Sequence, residues 1–437
     1  MSHPNIVFVF ADQMRAQTTG FNGAQVRSPY MDRMASEGVV FETTVANVPV
    51  CTPWRAAFLS GQYPLSTGMF MNDVRMPTNI PTFGTVLRDA GYDTAYIGKW
   101  HLDGPERSGF TPPGPRRQGF DFWAVGNCTH NYHESRYYRD TPEPFYWDGY
   151  DAEGQTSVAL DYIRSHGKDN PFALVLSWGP PHNPYRMLPE RYLSMYSPDD
   201  IDVRPNCPEP DYEDLTGYYA HVTALDDQLA RIGGTLEHEG LLDNTIFVFT
   251  SDHGDMLGSQ GHQRKQHPWD ESVVVPYIMR CPVEVVPGHR ITSPFNVVDI
   301  MPTLLGLAGV PIPDTAQGRD HAPAVRGEPF EGNDAAYTMS IAPFAEYRGQ
   351  PWRGLRTERY TYARNLNGPW LLYDNQEDPY QMNNLSGHPE GEDLQQEMDA
   401  LLHRLMQERG DELLPAQAYL DSYGYEVDKV GAVPYNS

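Results

Sequence analysis

The sequence predicts an α/β protein: a large, mostly parallel or mixed sheet flanked by helices, followed by a smaller antiparallel α+β subdomain. Three observations carry this expectation. Short, continuously apolar runs recur along most of the chain, as expected of strands buried on both faces. Helical patterns alternate with those runs, which is how parallel strands are connected. After about residue 335 the pattern changes to short strands, turns and one amphipathic helix.

In order along the chain, strands are expected at residues 6–10, 94–97, 172–177, 245–250 and 273–279. Short helices fit residues 31–37, 53–60, 82–90 and 300–307. Tyr212, Leu215, Tyr219, Val222, Leu225, Leu229, Ile232 and Leu236 recur at helical steps and predict one long amphipathic helix. Gly240 stands where that helix would stop. Short strands with turns are read over 335–373 and a helix over 394–406. The chain is therefore divided into a large domain over 1–335, a smaller subdomain over 336–410 and a surface-packed tail over 411–437.

Composition narrows the partners. The 437 residues hold 58 acidic and 32 basic side chains, a formal charge of −26. Such a surface repels phosphate backbones, which argues against nucleic acid. No apolar run is long enough to span a bilayer, so no membrane partner is expected. The N-terminus runs straight into the strand at 6–10 without a basic leader. The expectation is a cytoplasmic protein, or a periplasmic or secreted one if a signal peptide has been trimmed. The four cysteines are spaced like neither a disulfide framework nor a zinc cluster. Oligomeric state is left open. The 39 prolines and 38 glycines point to long loops that can shape a pocket on a rigid sheet.

Four clusters carry chemistry, three of them just after a predicted strand, where ligands gather in α/β sheets. Asp12-Gln13 follows the first strand; a carboxylate beside an amide oxygen suits a hard cation, though a polar strand end would look the same. Ser251-Asp252-His253-Gly254-Asp255 follows the strand at 245–250. Asp252 and His253 offer two more ligands, Gly254 room for the backbone beside the ion, and Asp255 a cap. Cys51-Thr52-Pro53-Trp54-Arg55 opens a helix, with Pro53 suited to its first turn. Cys51 is then expected at the N-cap, where a thiol is acidic; a lone cysteine is otherwise most often buried packing. Lys99, His101, His182 and Lys265 supply point charges and proton carriers, although any one of them alone reads as a surface residue.

The Cys51–Arg55 segment matches the C-x-P-x-R signature of the type I sulfatases, and the chain resembles that family of the alkaline phosphatase superfamily, bacterial carbohydrate sulfatases most closely. The match continues through Leu59-Ser60-Gly61-Gln62-Tyr63-Pro64, Gly98-Lys99-Trp100-His101, Pro181-His182, Lys265, Trp352-Arg353-Gly354 and Leu372-Tyr373-Asp374. It spans nearly the whole chain, in order. The implied fold is alkaline-phosphatase-like.

The resemblance implies that Cys51 is oxidised to formylglycine by a separate maturation system. The hydrated aldehyde would attack sulfur with one hydroxyl and release sulfate through the other, which avoids a stable ester on the enzyme. Asp12, Gln13, Asp252 and His253, with position 51, would hold one divalent ion, Ca²⁺ first and Mn²⁺ or Mg²⁺ next. Arg55 would steady the diol, and Lys99 and Lys265 would grip sulfate. His182 would protonate the leaving oxygen and His101 would take the diol proton. Asn72 stands where some members place an amide. Many sulfatases have a second aspartate where this chain has Gln13; phosphonate monoester hydrolases and choline sulfatases share Asp-Gln.

The segment holding Cys128, His130, Tyr132, His133, Arg136, Tyr137 and Tyr138 suits a sugar site, with His130 and His133 as substrate contacts; tyrosine packing of a surface loop would explain it equally well. The expected function is hydrolysis of an organic sulfate ester, a small sulfated sugar. The alternative within enzymes is a phosphonate monoester or phosphodiester hydrolase. The alternative outside them, an inactive sulfated-glycan-binding protein, predicts loss of nucleophile or ligands, and all are present.

Overall fold

A computed structural model describes residues 3–166, 170–281, 286–341 and 349–435. Eight strands form the main sheet: Asn5–Asp12 (β1), Val39–Phe41 (β2), Asp93–Lys99 (β3), Phe122–Gly126 (β4), Phe172–Pro181 (β5), Thr245–Ser251 (β6), Tyr277–Arg280 (β7) and His289–Ile291 (β8). Their spatial order is β8-β2-β7-β6-β1-β5-β3-β4. From β6 to β4 all neighbours are parallel. β7 is antiparallel to β6 and β2, and β8 is parallel to β2. The sheet is thus mixed through one reversed strand.

β1 shows why the sheet lies inside. Its residues are buried throughout, and side chains alternate between faces. Ile6, Phe8 and Phe10 enter one core, Val7, Val9 and Ala11 the other. The helices Pro29–Glu37 (α1), Cys51–Ser60 (α2), Phe83–Asp89 (α3), Asp151–Ser165 (α4), Tyr212–His238 (α5) and Val297–Ala308 (α6) cover the two faces. α2, α3 and α6 share the core of Phe8, whose ring stacks on Phe58 at 4.4 Å. α1, α4 and α5 share the core of Val7. Asp211 caps α5 by accepting from the N–H groups of Glu213 and Asp214 at 3.0 and 3.1 Å. Gly240 follows its end at φ 66°.

The apolar run at 273–279 is not one strand. Val274–Val275 pairs with Thr44–Val45 in a separate three-stranded ladder. Pro276 has no N–H to give a ladder, and the chain joins the main sheet only at Tyr277.

Ala336–Ser340 (β9), Trp352–Arg356 (β10), Tyr360–Asn365 (β11) and Gly368–Asp374 (β12) form an antiparallel sheet in that order. The helix Glu392–Glu408 (α7) buries Met398, Leu402, Leu405 and Met406 against the core. This sheet is bonded to the segment leading into α2: Asn47 donates to Tyr337 O and accepts from Met339 N–H, both at 2.7 Å. Beyond Gly410, where the sequence shows no period, lies a further helix, Ala416–Tyr423 (α8). Asp411 is buried there and accepts two bonds from the buried Arg353 at 2.7 and 2.8 Å.

Candidate active site

Adjacent parallel strands deliver the site. Asp12 ends β1 and Lys99 ends β3, while His182 follows β5 and Asp252 follows β6. Because β6, β1, β5 and β3 lie side by side and parallel, these residues meet beyond the carboxyl ends of the strands. α2 brings Cys51 to the same place. Val50, extended at φ −160°, is its N-cap, so Cys51 is the first helical residue rather than the cap. Asn72 does the capping instead, its Oδ1 accepting from Thr52 N–H at 3.0 Å.

Cys51 is buried, with Sγ 3.6 Å from Asp12 Oδ1, 3.5 Å from His253 Nε2, 3.7 Å from Lys99 Nζ and 3.6 Å from Lys265 Nζ. Burial and Asp12 push its thiol up, but Lys265, Lys99 and His101 outweigh them and hold it well below the ordinary thiol range. The site thus stabilises negative charge at position 51.

Asp12, Cys51, Asp252 and His253 place one donor atom each within 4.8 Å of one another. His253 Nδ1 donates to Gly254 O at 3.0 Å, leaving Nε2 toward the group, the arrangement of a metal-binding imidazole. Gln13, at φ 69°, donates its N–H to Asp252 Oδ1 at 3.0 Å and its Nε2 to Asp255 Oδ2 at 2.7 Å. Its Oε1 is buried without a partner. An orphaned amide oxygen, two carboxylates and an imidazole nitrogen that faces them at 3.5 and 3.6 Å fit a divalent cation. Burial and the adjacent Asp12 push Asp252 up to about 6. Burial also acts against Asp12, but Lys99, His182, Lys265 and Arg55 keep its carboxyl well below the usual range.

Arg55 holds these carboxylates. Its guanidinium reaches Asp12 Oδ2 and Asp252 Oδ2, both at 3.1 Å, and Lys99 O and Ser177 Oγ, both at 2.7 Å. Lys99 Nζ lies 2.7 Å from Asp12 Oδ2. Gly98 carries Lys99 past β5. At φ 101°, an added Cβ would sit 2.1 Å from Ser177 O, so only glycine fits. Gly254 has a different reason from the one expected: its Cβ would sit 2.0 Å from Glu271 O, so the close approach is to backbone.

His182 Nδ1 donates to Asn183 O, and its Nε2 faces Lys265 Nζ, both at 2.8 Å. Burial and Lys265 hold this imidazole neutral. His130 stacks on it at 4.4 Å, and burial with Lys99 lowers His130 to about 3. His101, at φ 56°, lies 3.0 Å from Asp73 Oδ1 through Nε2. Burial opposes its charge, but Cys128 and Asp73 hold it up to about 10. His133 stays apart: it is exposed, with its N–H on Asn131 Oδ1 at 3.2 Å. Of the nearby tyrosines, Tyr132, Tyr137 and Tyr138 are buried in packing.

A cavity of about 650 Å³ opens above Cys51, lined among others by Asn72, His101, His130, His182 and Lys265. Asp255, expected as a cap, accepts from Leu257 N–H at 3.1 Å and also orients Gln13. Three residues had no distinct sequence signal: Tyr185 bonds Asp255, Asp73 orients His101, and Ser177 supports Arg55.

The fold gathers carboxylates, an imidazole and two lysines around the buried Cys51, a setting able to hold a cation and an anion side by side. A family model described as Sulfatase matches residues 4–310, and one described as N-sulphoglucosamine sulphohydrolase, C-terminal, matches residues 258–408. The chain belongs to the sulfatase family and is a sulfuric ester hydrolase. An ulvan-active sulfatase of Formosa agariphila is 42% identical over 99% of this chain and 87% of its own. A solved structure from glycosaminoglycan metabolism in Bacteroides thetaiotaomicron is similar with TM-score 0.87 and 26% identity, covering 99% of this chain and 100% of that one. Another, in complex with its substrate D-glucosamine-2-N,6-O-disulfate, has TM-score 0.85 and 25% identity, covering 94% of this chain and 98% of that one. The mostly parallel main sheet with its flanking helices, the C-terminal antiparallel sheet and these neighbours agree with the fold expected from the sequence.

Proposed function

We propose that the substrate is a sulfated carbohydrate and that the nucleophile is a formylglycine made from Cys51 by a separate maturation system. The observation that carries this reading is the convergence of Lys99, Lys265 and His101 on position 51 at the floor of a sugar-sized cavity. The relative active on ulvan and the neighbour holding a sulfated glucosamine support it.

In this reading Asp12, Gln13, Asp252 and His253 hold one divalent ion, with position 51 completing the set; the thiol sulfur stands in for the formylglycine oxygen. Calcium is the first candidate, because Asp12, Gln13 and Asp252 offer oxygens; manganese and magnesium come next. The ion supplies Lewis acidity at the site, and a hydrated formylglycine supplies a geminal diol. Lys99 and Lys265 bind sulfate oxygens and offset the charge that grows on them. Arg55 fixes the two carboxylates and so positions the nucleophile rather than touching the ester. The Lys265–His182 pair holds the proton for the leaving oxygen, with the ring oriented by Asn183 O. His101, held charged beside Asp73, would hydrogen-bond the second hydroxyl, and Asp73 fixes its ring; to take that hydroxyl's proton, as the sequence led us to expect, the ring must first lose its own. His130 borders the bound sugar. Residues 1–335 form the catalytic unit, and residues 336–410 the subdomain that braces the entry to α2.

The test is free sulfate released from a panel of position-defined sulfated mono- and disaccharides, with nitrophenyl sulfate and a nitrophenyl phosphonate ester as references. Sulfate release from at least one sugar, with sulfate preferred over phosphonate, is expected. Phosphonate preferred over every sulfate would replace this reading with the phosphonate hydrolase one, which the Asp12-Gln13 pair also accommodates.

A further inference from the structure

The cleft continues past the sulfate site. A second cavity of about 500 Å³ adjoins it and shares Arg107, His130 and Tyr435 as walls. Arg107 is forked on Asp73 at 2.8 and 2.7 Å. The Tyr435 ring lies over its guanidinium, 3.6 Å from carbon to ring centroid. Tyr435 is thereby held against Arg107 where both cavities meet it.

The far wall is a hairpin of Arg136–Tyr137 and Phe145–Tyr146. Arg136 and Tyr146 stand directly opposite each other, so their side chains share a face, and both line the second cavity. The neighbouring pair, Tyr137 and Phe145, points the other way. Tyr137 stacks on Trp147 at 3.8 Å, and Tyr138 bridges to Val125 of β4. The hairpin is therefore anchored on its back and presents Arg136 and Tyr146 forward.

Two features of that wall lack a structural reason. Tyr146 is 64% exposed, an unusual setting for a large ring beside a cavity. Arg136 makes no ion pair among the described residues, in a chain whose formal charge is −26. Glu134 is the one carboxylate of the lining, against the guanidinium groups of Arg107 and Arg136. Exposed rings stack on sugar faces, and a free guanidinium forks onto a carboxylate or sulfate.

We propose that the second cavity is a subsite for the adjoining sugar of a longer sulfated chain, and that this sugar carries an anionic group which Arg136 binds. The inference rests on the carbohydrate reading of the site. Tyr146 and Tyr435 bracket the sugar ring, and Arg136 meets its carboxylate or sulfate. The enzyme then reads two consecutive sugars.

The experiment compares disaccharides that share the cleavable sulfated sugar and differ in the neighbour: a uronic acid, a second sulfated sugar and a neutral sugar. An anionic neighbour is expected to raise kcat/KM about tenfold over the neutral one, mainly through KM. The arm that shows the gain identifies carboxylate or sulfate. Arg136→Ala should lower the ratio of anionic to neutral substrate toward one, and Arg136→Lys should restore part of it. Tyr146→Ala should raise KM for every disaccharide relative to nitrophenyl sulfate. Equal turnover of all three disaccharides, or an unchanged ratio in Arg136→Ala, overturns the subsite and leaves the carbohydrate reading standing. Hydrolysis of nitrophenyl sulfate with no sulfated sugar accepted overturns both.

Discussion

Gln13, Asp73, His101, Arg264 and Gln266 all border the site, and all hold a left-handed backbone without being glycine, at φ from 56° at His101 to 72° at Gln266. Such strain collects where surrounding structure over-determines a position. It was not legible in the sequence, because glycine is the residue a reader expects at positive φ. What was legible are the residues with a locational signal: Asp12 and Lys99 at strand ends, Cys51 in its Pro-Arg context, Asp252 beside His253. Asp73 and Ser177 act only through His101 and Arg55, and their partners come from distant segments, so no local pattern announces them. The metal reading makes a prediction at this scale. Asp252→Ala should remove the bound ion, read by elemental analysis, and lower kcat/KM by about a thousandfold or more. Retained metal with retained turnover would place the cation elsewhere.

Elements behave as the periodicity predicts where one face decides their fate. α5 follows its apolar stripe from Tyr212 and stops near Gly240. The run at 273–279 fails because burial alone does not distinguish one strand from two, and Pro276 divides it. The tail beyond Gly410 hides its helix because α8 is short and buries only Ala416, Tyr419 and Leu420. α5 also carries a buried histidine, His221, whose Nδ1 lies 2.8 Å from Tyr150 OH. Burial lowers it to about 3. The folded pKa lies below the unfolded value, so the unfolded chain binds the proton first. The stability His221 contributes is present above about pH 6.5 and falls as the pH drops toward 3, by up to about 1.4 kcal/mol per pH unit. Urea midpoints of wild type and His221→Asn at neutral pH and at about pH 4.5 test this. The variant should lose less stability in acid; equal losses would contradict the assignment.

Across the whole molecule, a strongly acidic chain concentrates cations beyond the carboxyl ends of its central strands. Lys99, Lys265, Arg55 and Arg107 surround the cleft, while the formal charge is −26. The C-terminal sheet braces the segment leading into α2, the Arg353–Asp411 pair ties the tail to that sheet, and the tail returns to wall the cavity with Tyr435. The sequence indicated the two sheets through their changing periodicity. It could not indicate that Val433, Pro434 and Tyr435 reach the cleft, because that contact depends on tertiary closure between segments far apart in the chain. All of these parts converge on position 51, and one measurement tests that convergence. Peptide mass spectrometry of position 51 should be made on the same preparation assayed for sulfate release, from hosts with and without a formylglycine-generating system. The account predicts an aldehyde at position 51 and a rate that rises in proportion to its occupancy. Full activity from protein that carries only unmodified cysteine there would contradict it.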